Sequence, residues 1–283
     1  MTGFGISGGA VSIVNAVSSG FGAAFGISLS TKAEVCEADE VSLSINGHAA
    51  SPFFAEELLS EFNRSCGTHL AGAGISVVSD IPQSVGLKSS SAAANAILLA
   101  LADEADVILS PESVLQIGAK ASMASGISIT GAFDDAAACL LGGAVFTDNY
   151  RMKILKQMPM PENLTAVIVI PSEGGSASAA FPKERLDGKE SRRIFEEAKA
   201  GGLSGLYSAM EQNGALVSRA LGISDDLFHA AKTAGAVSAG VSGTGPALGI
   251  LAETDTLDEF LSELRPAVTG CRCITAEIRN RRL

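Results

Sequence analysis

Residues 81–102 read IPQSVGLKSSSAAANAILLALA, and the interpretation of the whole chain works outward from this stretch. Pro82 and Gly86 favour a tight loop, because proline fixes φ and glycine tolerates backbone angles that other residues avoid. The later residues are nearly all strong helix formers, which predicts a helix over Ala92–Ala102. The stretch is therefore typical of a glycine-rich loop that leads directly into a helix.

Three consecutive serines and one lysine lie where this loop meets the helix. Ser89 or Ser90 is a natural N-cap, since a serine oxygen can accept a hydrogen bond from a first-turn N–H group. One hydroxyl is enough for a cap, and such loops also occur in proteins that bind no ligand. The additional serines, Lys88 and the positive end of the helix favour an anion site, most simply a phosphate site.

The composition sets broad limits on the class of protein. With 283 residues, 47% of them hydrophobic, the chain can form one large domain or two ordinary ones around a substantial core. The net charge of −11 argues against a nucleic-acid partner, whose phosphates would be repelled. The five cysteines are scattered without a disulfide or zinc pattern, which favours reduced thiols.

The sequence also bears on location. The first Lys or Arg is Lys32, so the N-terminal segment lacks the basic region of an ordinary signal peptide. The longest apolar helical run, Ala92–Ala102, is far shorter than the ~20 residues that span a membrane. We therefore expect a cytoplasmic protein with no membrane partner.

A polar connection near residue 150 suggests two domains, residues 1–150 and 151–283. The second part is predicted to alternate strands and helices in the manner of an α+β sandwich. Near the N-terminus, Gly5–Gly9 matches the G-x-S-x-G nucleophile elbow, but four preceding residues cannot supply the sheet that an elbow requires. We interpret this segment as a glycine-rich turn, and residues 279–282 as a basic tail.

Two further segments carry groups that suit phosphoryl transfer. Gly131 predicts a turn before a short Ala-rich helix that begins with Asp134 and Asp135. One acid would be enough to complement the helix dipole, so two adjacent acids after a glycine turn are candidates for acid/base or metal chemistry. A second glycine-rich loop spans Ser242–Pro246, and no Walker A sequence is present. Phosphoryl transfer needs positioning, N–H donors and cations around the phosphates, with a carboxylate facing the acceptor hydroxyl.

In this order, the three segments resemble the signatures of the GHMP kinases, which include galactokinase and the homoserine and mevalonate kinases. Residues 82–90 resemble the ATP-binding signature, residues 129–136 (ITGAFDDA) the segment with the catalytic aspartate, and residues 242–246 (SGTGP) the third motif. The resemblance covers essentially the whole chain. It implies an α+β, two-domain GHMP kinase fold, with an N-terminal half like domain 2 of ribosomal protein S5 and a ferredoxin-like C-terminal half.

Within this family, residues 8–29, 86–92 and 131–137 are most similar to the archaeal-type shikimate kinases. That resemblance implies phosphorylation of the shikimate 3-hydroxyl by ATP with Mg²⁺. One alternative is another GHMP kinase, such as a homoserine kinase, for which the catalytic aspartate would be unexpected. A second is a non-catalytic nucleotide-binding relative, against which the intact Asp134 argues.

The resemblance also implies roles for single residues. Asp134 would orient or deprotonate the acceptor hydroxyl, and Ser90 would bind Mg²⁺. The first-motif lysine of several family members is replaced by Ala10, so we expect Lys88 to supply the catalytic positive charge and Asp135 to help hold the metal. The implied nucleotide-binding residues are Gly86, Leu87, Lys88, Ser89, Ser90, Ser91, Ala92, Ala93, Ala94, Ser242, Gly243, Thr244 and Gly245.

The carboxylate of shikimate calls for an arginine, whose planar fork matches a carboxylate in two hydrogen bonds. Arg185, Arg192 and Arg193 are the candidates in the C-terminal half. Their spacing alone does not choose among them.

Overall fold

The computed structural model describes residues 2–172 and 185–283. In the N-terminal part, the elements follow in the order β1 (Thr2–Val14), β2 (Phe21–Ala38), β3 (Ser42–Ile45), β4 (His48–Ala50), α1 (Phe53–Cys66), β5 (Gly72–Ser79), α2 (Ser89–Glu104), α3 (Pro111–Ala124), α4 (Phe133–Leu141), β6 (Ala144–Asp148) and β7 (Lys153–Met158).

The first sheet is organised around the long strand β2. Strand β1 pairs antiparallel with one edge of β2, while β5 and β6 pair antiparallel with the two halves of the other edge. The remaining strands extend the sheet to the order β4-β3-β5-β2-β6-β7. Because β7 belongs to this sheet, the sheet continues past residue 150, and the domain boundary there stays a prediction.

The glycines near the N-terminus lie within β1, so their interpretation as a turn is wrong. A Cβ added to Gly3 would come within 2.2 Å of the Ala100 carbonyl oxygen, and one on Gly5 within 2.1 Å of the Ala96 carbonyl oxygen. Both carbonyls belong to α2, which packs directly on the strand. Glycine is needed here for a close backbone approach and not for a bend.

The C-terminal part contains a second sheet of four antiparallel strands in the order β11-β8-β10-β9. Its elements are β8 (Leu164–Ile170), α5 (Gly188–Ala200), α6 (Gly202–Leu221), α7 (Asp226–Thr233), β9 (Ser238–Val241), β10 (Leu248–Glu253), α8 (Leu257–Leu264) and β11 (Arg272–Glu277). This strand order confirms the expected ferredoxin-like half. Across the described ranges, none of the helices has the length and hydropathy of a membrane span.

The end of the chain returns to the first sheet. Ile278 forms an antiparallel bridge with Ile27, in the part of β2 that lies between its pairings with β5 and β6. The next residue, Arg279, is only 7% exposed. The predicted basic tail is therefore wrong for Arg279, although Arg281 and Arg282 are exposed.

Candidate active site

The start of α2 includes all three serines, so the predicted N-cap at Ser89 or Ser90 is wrong. Lys88 occupies the cap position with a left-handed backbone (φ 65°) and makes no side-chain cap. The first helical hydrogen bond runs from the Ala92 amide to the Lys88 carbonyl oxygen, at 2.9 Å. The amides of Ser89, Ser90 and Ser91 precede that bond, which is the usual source of anion-binding N–H groups at a helix start.

The second glycine-rich loop, Ser242–Pro246, contacts both the loop that precedes α2 and strand β1. The Ser242 hydroxyl donates to the Gly86 carbonyl oxygen at 2.7 Å, and the Gly243 amide donates to the Ser12 hydroxyl at 2.9 Å. A Cβ on Gly86 would lie only 2.0 Å from the Ser242 carbonyl oxygen. Glycine at position 86 thus permits both a positive φ of 94° and direct contact between the two loops.

The amine of Lys88 is the point where all three motifs meet. Its Nζ lies 2.8 Å from Asp135 Oδ1, and a Cβ on Gly243 would come within 2.7 Å of the same nitrogen. The Lys88 side chain is 6% exposed, so the ion pair is shielded from solvent. The contact lacks hydrogen-bond geometry at Asp135 Oδ1, which leaves that oxygen able to accept a further partner.

Asp134 is buried at the start of α4 and is held by Asn149. The Asn149 side chain donates to Asp134 Oδ1 at 2.7 Å and accepts from the Asp134 amide at 3.2 Å. The pKa of Asp134 is raised to about 7, chiefly by burial and then by the neighbouring charge of Asp135, while Lys88 and Asn149 oppose the rise. A carboxyl with this pKa can exchange a proton near neutral pH.

Sequence reasoning missed the residues that position Asp134. Asn149 also accepts a hydrogen bond from the Thr147 hydroxyl at 2.7 Å and donates to the Thr130 hydroxyl at 3.3 Å. A Cβ on Gly22 would come within 2.1 Å of Asp134 Oδ2, so glycine at position 22 makes room for the carboxylate. The one available signal was the polar Asp-Asn pair at the end of the buried strand β6.

A cavity of about 230 Å³ opens beside the start of α2. Its walls combine apolar side chains with serine hydroxyls from the helix start and from β5. The lining residues include Leu43, Ile45, Phe54, Val77, Ser79, Ser89, Ser90, Ala93 and Ile97. An apolar cavity with a few polar groups next to a phosphate-type loop suits a flat aromatic base.

Several of the other predicted site residues do not face the cavity or are engaged elsewhere. Ala92 and Ala94 are buried within α2, so their side chains face the core and not the cavity. Arg193 is engaged by Glu190 and Glu197. The sequence also predicts a loop of small residues over 172–182, and its residues 173–182 lie outside the described ranges.

No group of three or more His, Cys, Asp and Glu residues is placed to hold a metal within the described residues. A smaller number of protein ligands is normal for Mg²⁺, which is usually held by one or two carboxylates together with substrate phosphates. The predicted ligands Ser90 and Asp135 remain predictions.

Comparison with known proteins identifies the family to which this chain belongs. A family model described as the GHMP kinases N-terminal domain matches residues 53–143. The shikimate kinase of Methanothrix thermoacetophila is 35% identical over 286 residues, covering 99% of this chain and 95% of the relative. The shikimate kinase of Pyrococcus furiosus is 34% identical and covers 93% of this chain and 96% of the relative.

Solved structures show the same fold at lower sequence identity. A galactokinase from Lactococcus lactis, complexed with galactose, has a TM-score of 0.78 at 14% identity and covers 100% of this chain and 95% of its own. A homoserine kinase from Cytophaga hutchinsonii has a TM-score of 0.76 at 18% identity, with coverages of 99% and 96%. The predicted α+β, two-domain fold is confirmed, and the chain belongs to the GHMP kinase family, together with the archaeal shikimate kinases.

Proposed function

We propose that this protein is a shikimate kinase that transfers the γ-phosphoryl group of ATP to the 3-hydroxyl of shikimate, giving shikimate 3-phosphate and ADP. The observation that carries the transfer chemistry is the meeting of the serine-rich start of α2 with the start of α4 at the Lys88–Asp135 ion pair. The choice of acceptor is supported by the similarity to several shikimate kinases over most of the chain.

The start of α2 is suited to hold ATP as a substrate. The amides of Ser89, Ser90 and Ser91 provide donors at the positive end of the helix, and Lys88 adds a full positive charge. The cavity of about 230 Å³ adjoins Ser89 and Ser90, so a base in the cavity would leave the phosphates at the helix start. Lys88 would then lie between the phosphates and the acid pair.

The residues present also fit Mg²⁺. Within the part of the chain that the structure describes, Lys88 pairs with Asp135 only, and Asp135 Oδ1 is buried without a hydrogen bond, so it can accept a cation. Ser90 and Asp135 are the residues that would hold the ion. When bound, Mg²⁺ supplies charge neutralisation between the phosphate oxygens of the nucleotide.

Asp134 is the residue that faces the acceptor. Asn149 fixes one carboxylate oxygen, which leaves the other to accept a hydrogen bond from the shikimate hydroxyl. As the new O–P bond forms, the hydroxyl proton passes to Asp134, and the bond from the γ-phosphorus to the bridging oxygen breaks with release of ADP. A pKa near 7 matches that task, because a general base works best when its pKa lies near the working pH.

Arg185 is the arginine that we assign to the carboxylate of shikimate. Arg193 is engaged by Glu190 and Glu197, and Arg192 pairs with Glu196 while stacking on Phe21, 3.3 Å from the ring centroid. Arg185, by contrast, contacts only a carbonyl oxygen, that of Ala220 at 3.3 Å, among the residues the structure describes. Other N–H groups of the Arg185 guanidinium therefore remain available to a carboxylate.

The proposal also covers the location of the protein and its partners. All five cysteines lie in the described residues and are free thiols, as in a reducing compartment, which supports the cytoplasm as the location. The absence of a nucleic-acid partner stays a prediction from the net charge.

The test is an acceptor panel. The purified protein is incubated with ATP, Mg²⁺ and shikimate, homoserine, mevalonate or galactose, and ADP release is followed. We expect turnover with shikimate only, and a raised KM for shikimate, but not for ATP, in an Arg185→Ala variant. Turnover with another alcohol and none with shikimate would reject the acceptor, and no turnover with any of them would reject the kinase assignment.

A further inference from the structure

Arg279 occupies an unusual place for a charged side chain. It follows the C-terminal sheet by two residues, yet it inserts into the first sheet, where its residue exposure is only 7%. Among the described residues, all of its side-chain partners are backbone carbonyl oxygens and none is a carboxylate. Burying a charge without a counter-ion is costly, so this arrangement calls for an explanation.

The partners of Arg279 lie at the negative end of α4. Its Nη2 donates to the carbonyl oxygens of Ala138 at 3.0 Å and Cys139 at 2.6 Å. The opposite end of the same helix carries Asp134 and Asp135. A guanidinium at a helix C-terminus is stabilised by the partial negative charge of the last carbonyl groups, so the helix itself provides the balancing charge.

Neighbouring elements leave space for this side chain. A Cβ on Gly8 of β1 would come within 2.4 Å of Arg279 Nε, and one on Gly26 of β2 within 3.1 Å of Nη2. The Arg279 backbone is fixed as well, because its amide donates to the Gly26 carbonyl oxygen and its carbonyl accepts from the Gly143 amide at 2.7 Å. The guanidinium therefore has one well-defined position against α4.

Two more polar side chains act on the same helix. The Ser7 hydroxyl donates to the Cys139 carbonyl oxygen at 3.1 Å, and the Asn95 amide donates to the Ala136 carbonyl oxygen at 2.9 Å. Helix α4 has only nine residues, a length at which orientation depends on tertiary contacts and not on helix propensity. A helix this short moves as one rigid rod, with a rise of about 1.5 Å per residue. A tilt at its C-terminal end therefore displaces the aspartates at its start.

We propose that Arg279 is a positioning residue for phosphoryl transfer, which acts through α4 to set the place of Asp134 against the acceptor. The proposal rests on the proposed function, since it takes Asp134 as the catalytic carboxylate. Arg279 itself touches neither substrate. Its effect should fall on the rate of the transfer step, because among the described residues Arg279 donates hydrogen bonds to α4 and none to the start of α2.

The experiment compares Arg279→Ala and Arg279→Lys with the wild-type enzyme and with Arg282→Ala, an exposed arginine close by in the sequence. We expect kcat to fall by 10-fold or more in Arg279→Ala and by less in Arg279→Lys. The KM for ATP should stay within about twofold, and Arg282→Ala should match the wild type. Circular dichroism establishes that each variant is folded at the assay temperature.

Chemical rescue separates positioning from simple loss of stability. Millimolar guanidinium should restore part of the kcat of Arg279→Ala, because the ion can occupy the vacated space, whereas methylammonium at equal ionic strength should not. If Arg279→Ala does not fold, the fall in kcat at unchanged KM in Arg279→Lys carries the test. A folded variant with wild-type kcat, or a loss without rescue, would overturn the proposal, while an inactive wild-type enzyme would instead reject the proposed function.

Discussion

Helices α2 and α4 begin with the same backbone geometry and with opposite chemistry. Each follows a non-glycine residue in the left-handed region, Lys88 at φ 65° and Ala132 at φ 49°, and neither has a side-chain N-cap. The first turn of α2 contains serines and no acid, whereas the first turn of α4 contains Asp134 and Asp135. The positive end of α4 is thus balanced by its own acids, while that of α2 remains available to an anion from outside.

The ion pair between Lys88 and Asp135 joins these two helix starts across 2.8 Å. The start of α2 is suited to the phosphates of the donor, and the start of α4 to the hydroxyl of the acceptor. The ion pair therefore lies between the two proposed substrate positions. A left-handed backbone at a non-glycine residue costs about 1–2 kcal/mol, and it occurs at both starts. This is the pattern expected where local stability is given up for the geometry of a site.

Removing the acid from α4 should have the largest effect. In Asp134→Asn, the side chain can still accept the hydrogen bond from Asn149, but it cannot take the proton of the acceptor. We expect kcat to fall by roughly 10²–10⁴-fold with little change in the KM for ATP, measured by ADP release at saturating shikimate. A kcat within tenfold of the wild type would mean that Asp134 does not act as the base.

Breaking the ion pair from either side should give smaller and different losses. Lys88→Met removes the cation beside the α2 start and should lower kcat/KM for ATP by roughly 10²-fold. The control for the lysine variant is Lys153→Met, which removes an exposed lysine on β7.

Asp135→Asn should instead raise the Mg²⁺ concentration needed for half-maximal rate. An unchanged Mg²⁺ titration in Asp135→Asn would exclude its role as a metal ligand.

The smallest effect concerns stability. The pKa of Asp134 is raised to about 7 in the folded protein, so its carboxyl favours folding at pH values below its ordinary pKa and loses that contribution as pH rises through 7. An asparagine at position 134 does not ionise, so the Asp134→Asn variant does not lose stability in this way. Its Tm should therefore exceed that of the wild type at pH 8 by several degrees, with a smaller difference at pH 5. Equal differences at the two pH values would contradict the raised pKa.

The parts of the fold that were predictable are those written in local patterns. Ser110 caps α3 and accepts from the Ser113 amide, and the sequence Ser-Pro-Glu at this point is a typical helix start. The prediction failed for the N-terminal glycines because a glycine that makes room for α2 looks the same in sequence as a glycine in a turn. The prediction also failed for the N-cap of α2, because a lysine in the sequence does not indicate a left-handed backbone at that position.

The sequence alone determined the three motifs, their order, the α+β class and the pair of acids at the start of α4, because each of these is a pattern among residues close together in the chain. Only the tertiary structure decided that Asn149 holds Asp134, that Ser242 supports Gly86, and that Arg279 is buried at the far end of α4. Those contacts join residues from 15 to 156 positions apart. Their existence depends on which surfaces pack together, and no local propensity encodes that choice.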